Sequence, residues 1–194
     1  MSPLPTFIYD QVQLKLFDFV FPGEFPPSEA RVDAEFRILD RQSPDRVLIE
    51  VVQGDWLCTV RFDRGEKCFV ALHEGRVVSY IWGSRGRVGV EEISMAVQTG
   101  PLEMYLYDAF TLEPWRGNNL YPAVLRQALE YGRDLGLKRM TIFVEARNIP
   151  SIRGVTKAGF TLFQTLLYKK ILGFGKRNLL PPIEGHPPAE FVHL

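Results

Sequence analysis

Apolar and polar residues alternate in QVQLKL (11–16) and again in ARVDAEFRI (30–38), the period of half-buried strands, although the second segment also passes as a short helix. SPDRVLIEVVQG (43–54) has helix punctuation, with Ser43 at the N-cap, Pro44 after it and Gly54 at the end, while its Val and Ile content pulls toward strand. From Lys67 the pattern sharpens. CFVALHEGRVVSYIW places two β-rich runs around Glu74 and Gly75 and predicts a hairpin; GSRGRVGVEEI follows as a Gly-rich loop, and EMYLYDAFTL as a third, aromatic strand that Pro114 stops. Leu120, Tyr121, Val124, Leu125, Ala128, Tyr131 and Leu135 then recur at helical spacing, an amphipathic helix of about four turns that Gly136 closes. RMTIFVEA is a strand, which completes a βαβ unit. NIPSIRGVTKAGF predicts a short helix with Pro150 in its first turn and Gly159 at its end, and TLFQTLLYKKILGF a final strand or hairpin. The Pro pairs of RNLLPPIEGHPPAEFVHL predict a tail on the surface.

Composition narrows the class. With 194 residues, 46% hydrophobic and 24% charged, the chain reads as a single globular domain. Its 23 basic and 23 acidic residues create no global field, so neither nucleic acid nor a membrane is expected as a partner and any anion site must be local. The opening segment has no basic n-region, and Asp10, Lys15 and Asp18 interrupt its apolar residues, which predicts a cytoplasmic protein. Cys58 and Cys68 have apolar flanks and read as buried thiols in neighbouring strands; His73, His186 and His193 make no metal-binding spacing, so no metal is expected.

The loop EPWRGNN enters the long helix directly, and amides at a helix start lack intrahelical acceptors, so this junction is a candidate anion site with Arg116 beside it. It is not a P-loop, since no Lys lies between Gly117 and Arg126, and GSRGRVG is spaced GxxGxxG rather than GxGxxG. The order of strand, Arg-Gly loop, amphipathic helix, strand ending in VEARN, then NxxSIRxxxKAGF resembles the GNAT superfamily of N-acyltransferases over residues 65–172.

That resemblance implies a single α/β (α+β) domain: a mixed, mostly antiparallel sheet splayed at its centre and flanked by helices. Residues 1–66 would form the acceptor side, 67–175 the acyl-CoA-binding core and 176–194 a Pro-rich tail. It further implies that Phe110, Thr111, Leu112, Arg116, Gly117, Asn118, Asn119, Leu120, Tyr121, Asn148, Ser151 and Lys157 bind acetyl-CoA, the acyl donor. The family's phosphate loop has Gly where this chain has Asn119, and Gly or Ala where it has Tyr121. Asn suits the left-handed turn, whereas Tyr121 would crowd the phosphate. Asn148 also reads as a helix cap, and Val155 stands where the family often has a Tyr that protonates the departing thiolate.

Acyl transfer to an amine needs a donor on the carbonyl oxygen and an acceptor for the amine proton. A strand amide in YLYDAF would supply the first. Asp108 and Glu145 are the candidate bases, with Tyr107 a further catalytic candidate, and Asp108 also reads as a surface residue or the partner of an Arg. Tyr80, Trp82, Tyr105, Tyr107 and Trp115 line either an acceptor pocket or the core, and FDFVFPGEFPP covers either the acceptor side or the core. The expected acceptor is a small-molecule amine such as an amino sugar or amino acid. A longer acyl donor on CoA or a carrier protein, a non-catalytic acyl-CoA-binding domain and a homodimer stay open.

Overall fold

The computed structural model describes residues 9–171 and 174–193; the first eight residues of the opening segment and the middle of ILGF, at 172–173, lie outside them. QVQLKL falls within strand β1 (Tyr9–Val20), and ARVDAEFRI ends in strand β2 (Glu35–Leu39). In 43–54 the punctuation wins over the β-branched content, because packing decides. A 3-10 turn at Pro44–Arg46 leads into α1 (Val47–Gln53), whose Ile49 is fully buried; Gly54 stops it at φ 91° and α2 (Asp55–Asp63) follows. Ser43 makes no side-chain cap: its Oγ accepts from the Asp40 amide at 2.9 Å instead.

Cys58 corrects the sequence expectation. It lies on α2, one turn from Phe62 and buried with it, while Cys68 is on β3 (Lys67–His73); the two free thiols are not on neighbouring strands. β3 and β4 (Arg76–Ser84) form the predicted hairpin, with Glu74 and Gly75 at φ 49° and 74°. The Gly-rich segment is more than a loop, since β5 (Arg87–Val90) buries Val88 and Val90 and pairs with β6 (Met95–Gln98). The βαβ unit is β7 (Glu103–Thr111), α3 (Leu120–Asp134) and β8 (Arg139–Glu145), followed by α4 (Ile149–Lys157), β9 (Thr161–Ile171), β10 (Phe174–Leu179) and β11 (Phe191–Val192).

The main sheet has the order β10-β9-β1-β8-β7-β4-β3-β2, antiparallel except for β7 and β8, so the strand nearest the N-terminus lies in its interior. It runs across both sequence boundaries, at 66 and at 176. α3 and α4 cover one face through Phe69, Ile81, Leu106, Val124, Ile142, Val155 and Phe160. Phe19, Phe21 and Phe25 of the FDFVFPGEFPP segment close this core rather than an acceptor side. The other face is shared. α1 and α2 pack over Tyr80 and Trp82, and the small sheet β11-β6-β5 packs over Tyr105, Phe143 and Phe163, with Tyr107 touching both clusters at their seam. The tail is tied down by polar contacts: Asp18, fully buried on β1, meets Arg139 at 3.0 Å and lies 2.9 Å from His186 Nδ1.

Candidate functional site

β7 and β8 pair from Glu103 and Arg139 to Leu106 and Ile142, and no further. The cause lies in β7, where Tyr107 pairs with Trp82 and Phe110 with Tyr80, so that the single residue Ile81 faces both Asp108 and Ala109. This is a β-bulge, and Asp108 takes φ 48° in it. A residue other than Gly in this region costs roughly 1–2 kcal/mol, less for Asp and Asn than for most.

Beyond the bulge a groove of about 660 Å³ opens between the end of β7, the loop after it, the first turn of α3 and α4. It gathers most of the residues expected to bind the donor: Phe110, Thr111, Arg116, Gly117, Asn119, Leu120, Tyr121, Asn148, Ser151 and Lys157 all line it. Leu112 and Asn118 do not. The Leu112 amide is spent on Val78, and the Asn118 side chain on the Trp115 carbonyl. Trp115, expected in an acceptor pocket or the core, lines this groove and lies against His73 with ring centroids 4.3 Å apart and planes tilted by 47°, while Tyr80, Trp82 and Tyr105 are core.

The loop fits an anion. Gly117 at φ 81° and Asn119 at φ 59° wind the chain into α3, and Asn119 makes no side-chain cap, giving its Nδ2 to the Glu29 carbonyl. Among the described residues no group accepts from the amides of Gly117, Asn118 or Asn119, and the helix start adds its positive end. Arg31, Arg116, Arg153 and Lys157 bring four cations to the same groove. Its lining has no Asp or Glu, and none of the four cations forms an ion pair among the described residues. Arg31 gave no sequence signal, since an isolated exposed Arg is ordinary, and Arg153 stood in the SIR motif without being assigned a role.

Tyr121 does not fill the loop as its size suggested. Its ring lies against Gly154 of α4, where a Cβ would come 2.4 Å from Cδ1, and its hydroxyl receives a 3.3 Å hydrogen bond from Ser151 Oγ. Burial pushes this phenol up to about 12. Asn148 caps α4, its Oδ1 accepting from the Ser151 amide at 3.2 Å, and lines the groove as well. Val155 is fully buried in the core.

The catalytic candidates lie off the groove. Strand alternation places Glu145 on the face of Phe143 and Tyr107, opposite α3 and α4. Asp108 is the partner of an arginine: Arg61 Nη1 lies 2.6 Å and Gln53 Nε2 2.9 Å from its Oδ2. Glu145 pairs with Arg147, itself 86% exposed, at 2.6 Å. The Tyr107 hydroxyl donates to Glu66, and Arg61 lies 5.1 Å over the Tyr107 ring. Burial, with Glu66 beside it, holds the Tyr107 phenol far above its ordinary range. Burial also raises Glu66, against the pull of Tyr107 and Arg61. Gln53, Arg61 and Glu66 carried no signal in the sequence.

The Acetyltransferase (GNAT) family model matches residues 28–160. The chain belongs to this family. No curated protein matches it. Among solved structures it is similar to a GCN5-related N-acetyltransferase from Sphaerobacter thermophilus (TM-score 0.61, 16% identity, covering 84% of this chain and 53% of that one). It is also similar to a GNAT-family acetyltransferase from Colwellia psychrerythraea (0.53, 15%, 79% and 53%) and to AAC(6')-Iy in complex with the bisubstrate analogue CoA-S-monomethyl-acetylneamine (0.51, 14%, 67% and 92%). The chain thus spans about half the length of the first two. These likenesses carry the fold, a mixed and mostly antiparallel sheet flanked by helices.

Proposed function

We propose that this GNAT domain is an N-acyltransferase that moves an acetyl or other short acyl group from acyl-CoA to a small-molecule amine. The observation that carries the proposal is the set of four unpaired cations beside the free amides of Gly117 to Asn119, in a groove without a carboxylate. A ligand rich in phosphate, as CoA is, answers that charge. Arg116, Gly117, Asn119 and the start of α3 would hold the pyrophosphate, and Asn148, Ser151 and Lys157 of the α4 region would flank the arm leading to the gap between β7 and β8. When bound, the thioester supplies an activated acyl group whose thiol leaves readily, its ordinary pKa being about 8.5.

On the opposite face an amine reaches the same gap. Glu145, whose partner Arg147 is an exposed and readily exchanged cation, takes the amine proton directly or through water. Tyr107 stays a neutral phenol and orders the seam, and Val155 leaves α4 without a proton donor at its position, so the leaving thiolate is protonated by solvent. An amino sugar, the chemistry of the acetylneamine analogue bound to AAC(6')-Iy, is one acceptor class to be tested beside amino acids and simple amines.

The test is a thermal shift with acetyl-CoA, a long-chain acyl-CoA, CoA and dephospho-CoA, followed by thiol release with an amine panel. Both cysteines are buried and Cys58 is pushed up to about 11, so the protein adds no fast thiol background. Stabilisation by the CoA series with amine-dependent thiol release supports the reading. Stabilisation without release leaves a binding domain, a stronger response to the long chain makes the donor a long-chain acyl-CoA, and no shift rules out CoA.

A further inference from the structure

The bulge that splits β7 from β8 is gripped from outside the sheet. Gln53, at the end of α1, uses all of its amide there. Its Nε2 donates to the Tyr80 hydroxyl at 2.8 Å and to Asp108 Oδ2 at 2.9 Å, and its Oε1 accepts from Trp82 Nε1 at 2.6 Å and Arg61 Nη1 at 3.1 Å. Tyr80 and Trp82 flank Ile81, the residue that faces the bulge. Arg61 of α2 adds its 2.6 Å bond to Asp108, and its guanidinium lies over both rings of the Trp82–Tyr107 pair, 4.9 Å and 5.1 Å from their centroids. Gln53 and Arg61 therefore bind the bulged strand and its partner at the same level, and hold by its side chain the one β7 residue with positive φ. The next residues on β7, Ala109, Phe110 and Thr111, line the donor groove.

We infer that Gln53 and Arg61 are positioning residues: by clamping the Asp108 carboxylate they hold the bulge that aims the Ala109–Thr111 backbone at the acyl carbonyl of the donor. Asp108 serves this geometry and not proton transfer. A carboxylate that receives two hydrogen bonds on one oxygen and shares an arginine is a strut, and the amine proton has Glu145. The clamp also joins the two faces, since α1 and α2 stand on the amine side while the strand they hold faces the acyl-CoA groove. The inference rests on the acyl-CoA reading above.

The test uses [1-13C]acetyl-CoA and the 13C shift of its bound carbonyl, with affinity measured separately by calorimetry. In the wild-type protein the carbonyl signal moves downfield on binding, as it does when an amide donates to it. Arg61→Ala and Asp108→Ala lose that shift and reduce kcat about 10²-fold, the scale of one lost oxyanion donor, with a smaller change in affinity, because the phosphate sites are untouched. Glycine adopts positive φ without strain, so Asp108→Gly keeps the shift, and adding it to Arg61→Ala restores the shift and most of kcat. If Arg61→Ala alone fails to fold, the contrast of Asp108→Gly with Asp108→Ala decides. A carbonyl shift that survives in Asp108→Ala, or Asp108→Gly behaving like Asp108→Ala, overturns the clamp. A wild-type protein that binds no acyl-CoA overturns the acyl-CoA reading, and the clamp's role falls with it.

Discussion

Tyr121 lies so close over Gly154 that any side chain at 154 would meet it: a Cβ would stand 2.4 Å from Cδ1 and 2.8 Å from Cε1. The contact joins the first turn of α3 to the middle of α4, and it explains how a tyrosine is accommodated beside the groove that the proposed function gives to a phosphate. The ring is parked against α4 because α4 has no side chain at that point.

Gly154→Ala should therefore push the Tyr121 ring toward the groove. The expected result is a loss of CoA affinity of about tenfold, with a destabilisation of roughly 1–3 kcal/mol from overpacking. Tyr121→Ala in the same background should recover the affinity, because the displaced ring is gone. Calorimetric titration of the two variants checks this, and unchanged affinity in Gly154→Ala would show that the ring moves elsewhere.

Arg153 and Lys157 are exposed and make no ion pair among the described residues, so folding does not depend on their charge. Replacing either with Ala should weaken CoA binding by roughly 3- to 10-fold while stability stays within about 0.5 kcal/mol. The wild-type Kd should also rise with ionic strength, since exposed charges are screened over about 8–10 Å at moderate salt. A Kd independent of salt would mean that the groove binds something other than a polyanion.

What the sequence made legible was local. The β3–β4 hairpin is joined by two turn residues, α3 has its own apolar stripe, and the loop into α3 places its groove-lining residues nearly consecutively. The loop end of the groove could be read for that reason. The clamp could not, because Gln53 and Arg61 lie 55 and 47 residues from Asp108, and helical spacing in α1 and α2 says nothing about what their polar ends will meet. The interior place of β1 was hidden in the same way. Alternation marks it as a strand with one buried face, but its pairing with β8 and β9 joins segments more than 100 residues apart. Cys58 was misplaced because a short apolar run does not distinguish strand from buried helix.

Asp18, Arg139 and His186 form the one ion cluster with a fully buried carboxylate among the described residues, and it ties β1 and β8 to the tail. Removing Arg139 leaves the buried carboxylate with His186 and a 3.4 Å hydrogen bond from Thr161 Oγ1, so Arg139→Ala should cost about 3–5 kcal/mol. The paired change Asp18→Asn with Arg139→Gln, which removes both charges, should cost less. Urea denaturation at neutral pH measures both. A loss under about 1 kcal/mol in Arg139→Ala would mean that solvent enters the cluster.

Glu66 gives the stability a defined pH dependence. It is 1% exposed, one oxygen accepts from Tyr107, and the other, Oε1, has no partner among the described residues. Burial raises its folded pKa above the ordinary 4.5, so between that value and the raised one the folded state holds a proton that the unfolded state has released. In that window the unfolded state binds fewer protons and the slope of unfolding free energy with pH is negative. The Glu66 contribution is therefore greatest below 4.5, falls as pH rises through the folded value, and is flat above it. Glu66→Gln keeps an acceptor for Tyr107 and cannot ionise, so its stability should lack this fall. The measurement is the difference in unfolding free energy between wild type and Glu66→Gln, taken in half-unit steps from pH 4 to 8. A difference that does not change with pH would show that Glu66 ionises as freely in the folded protein as in the unfolded chain, and that water reaches Oε1.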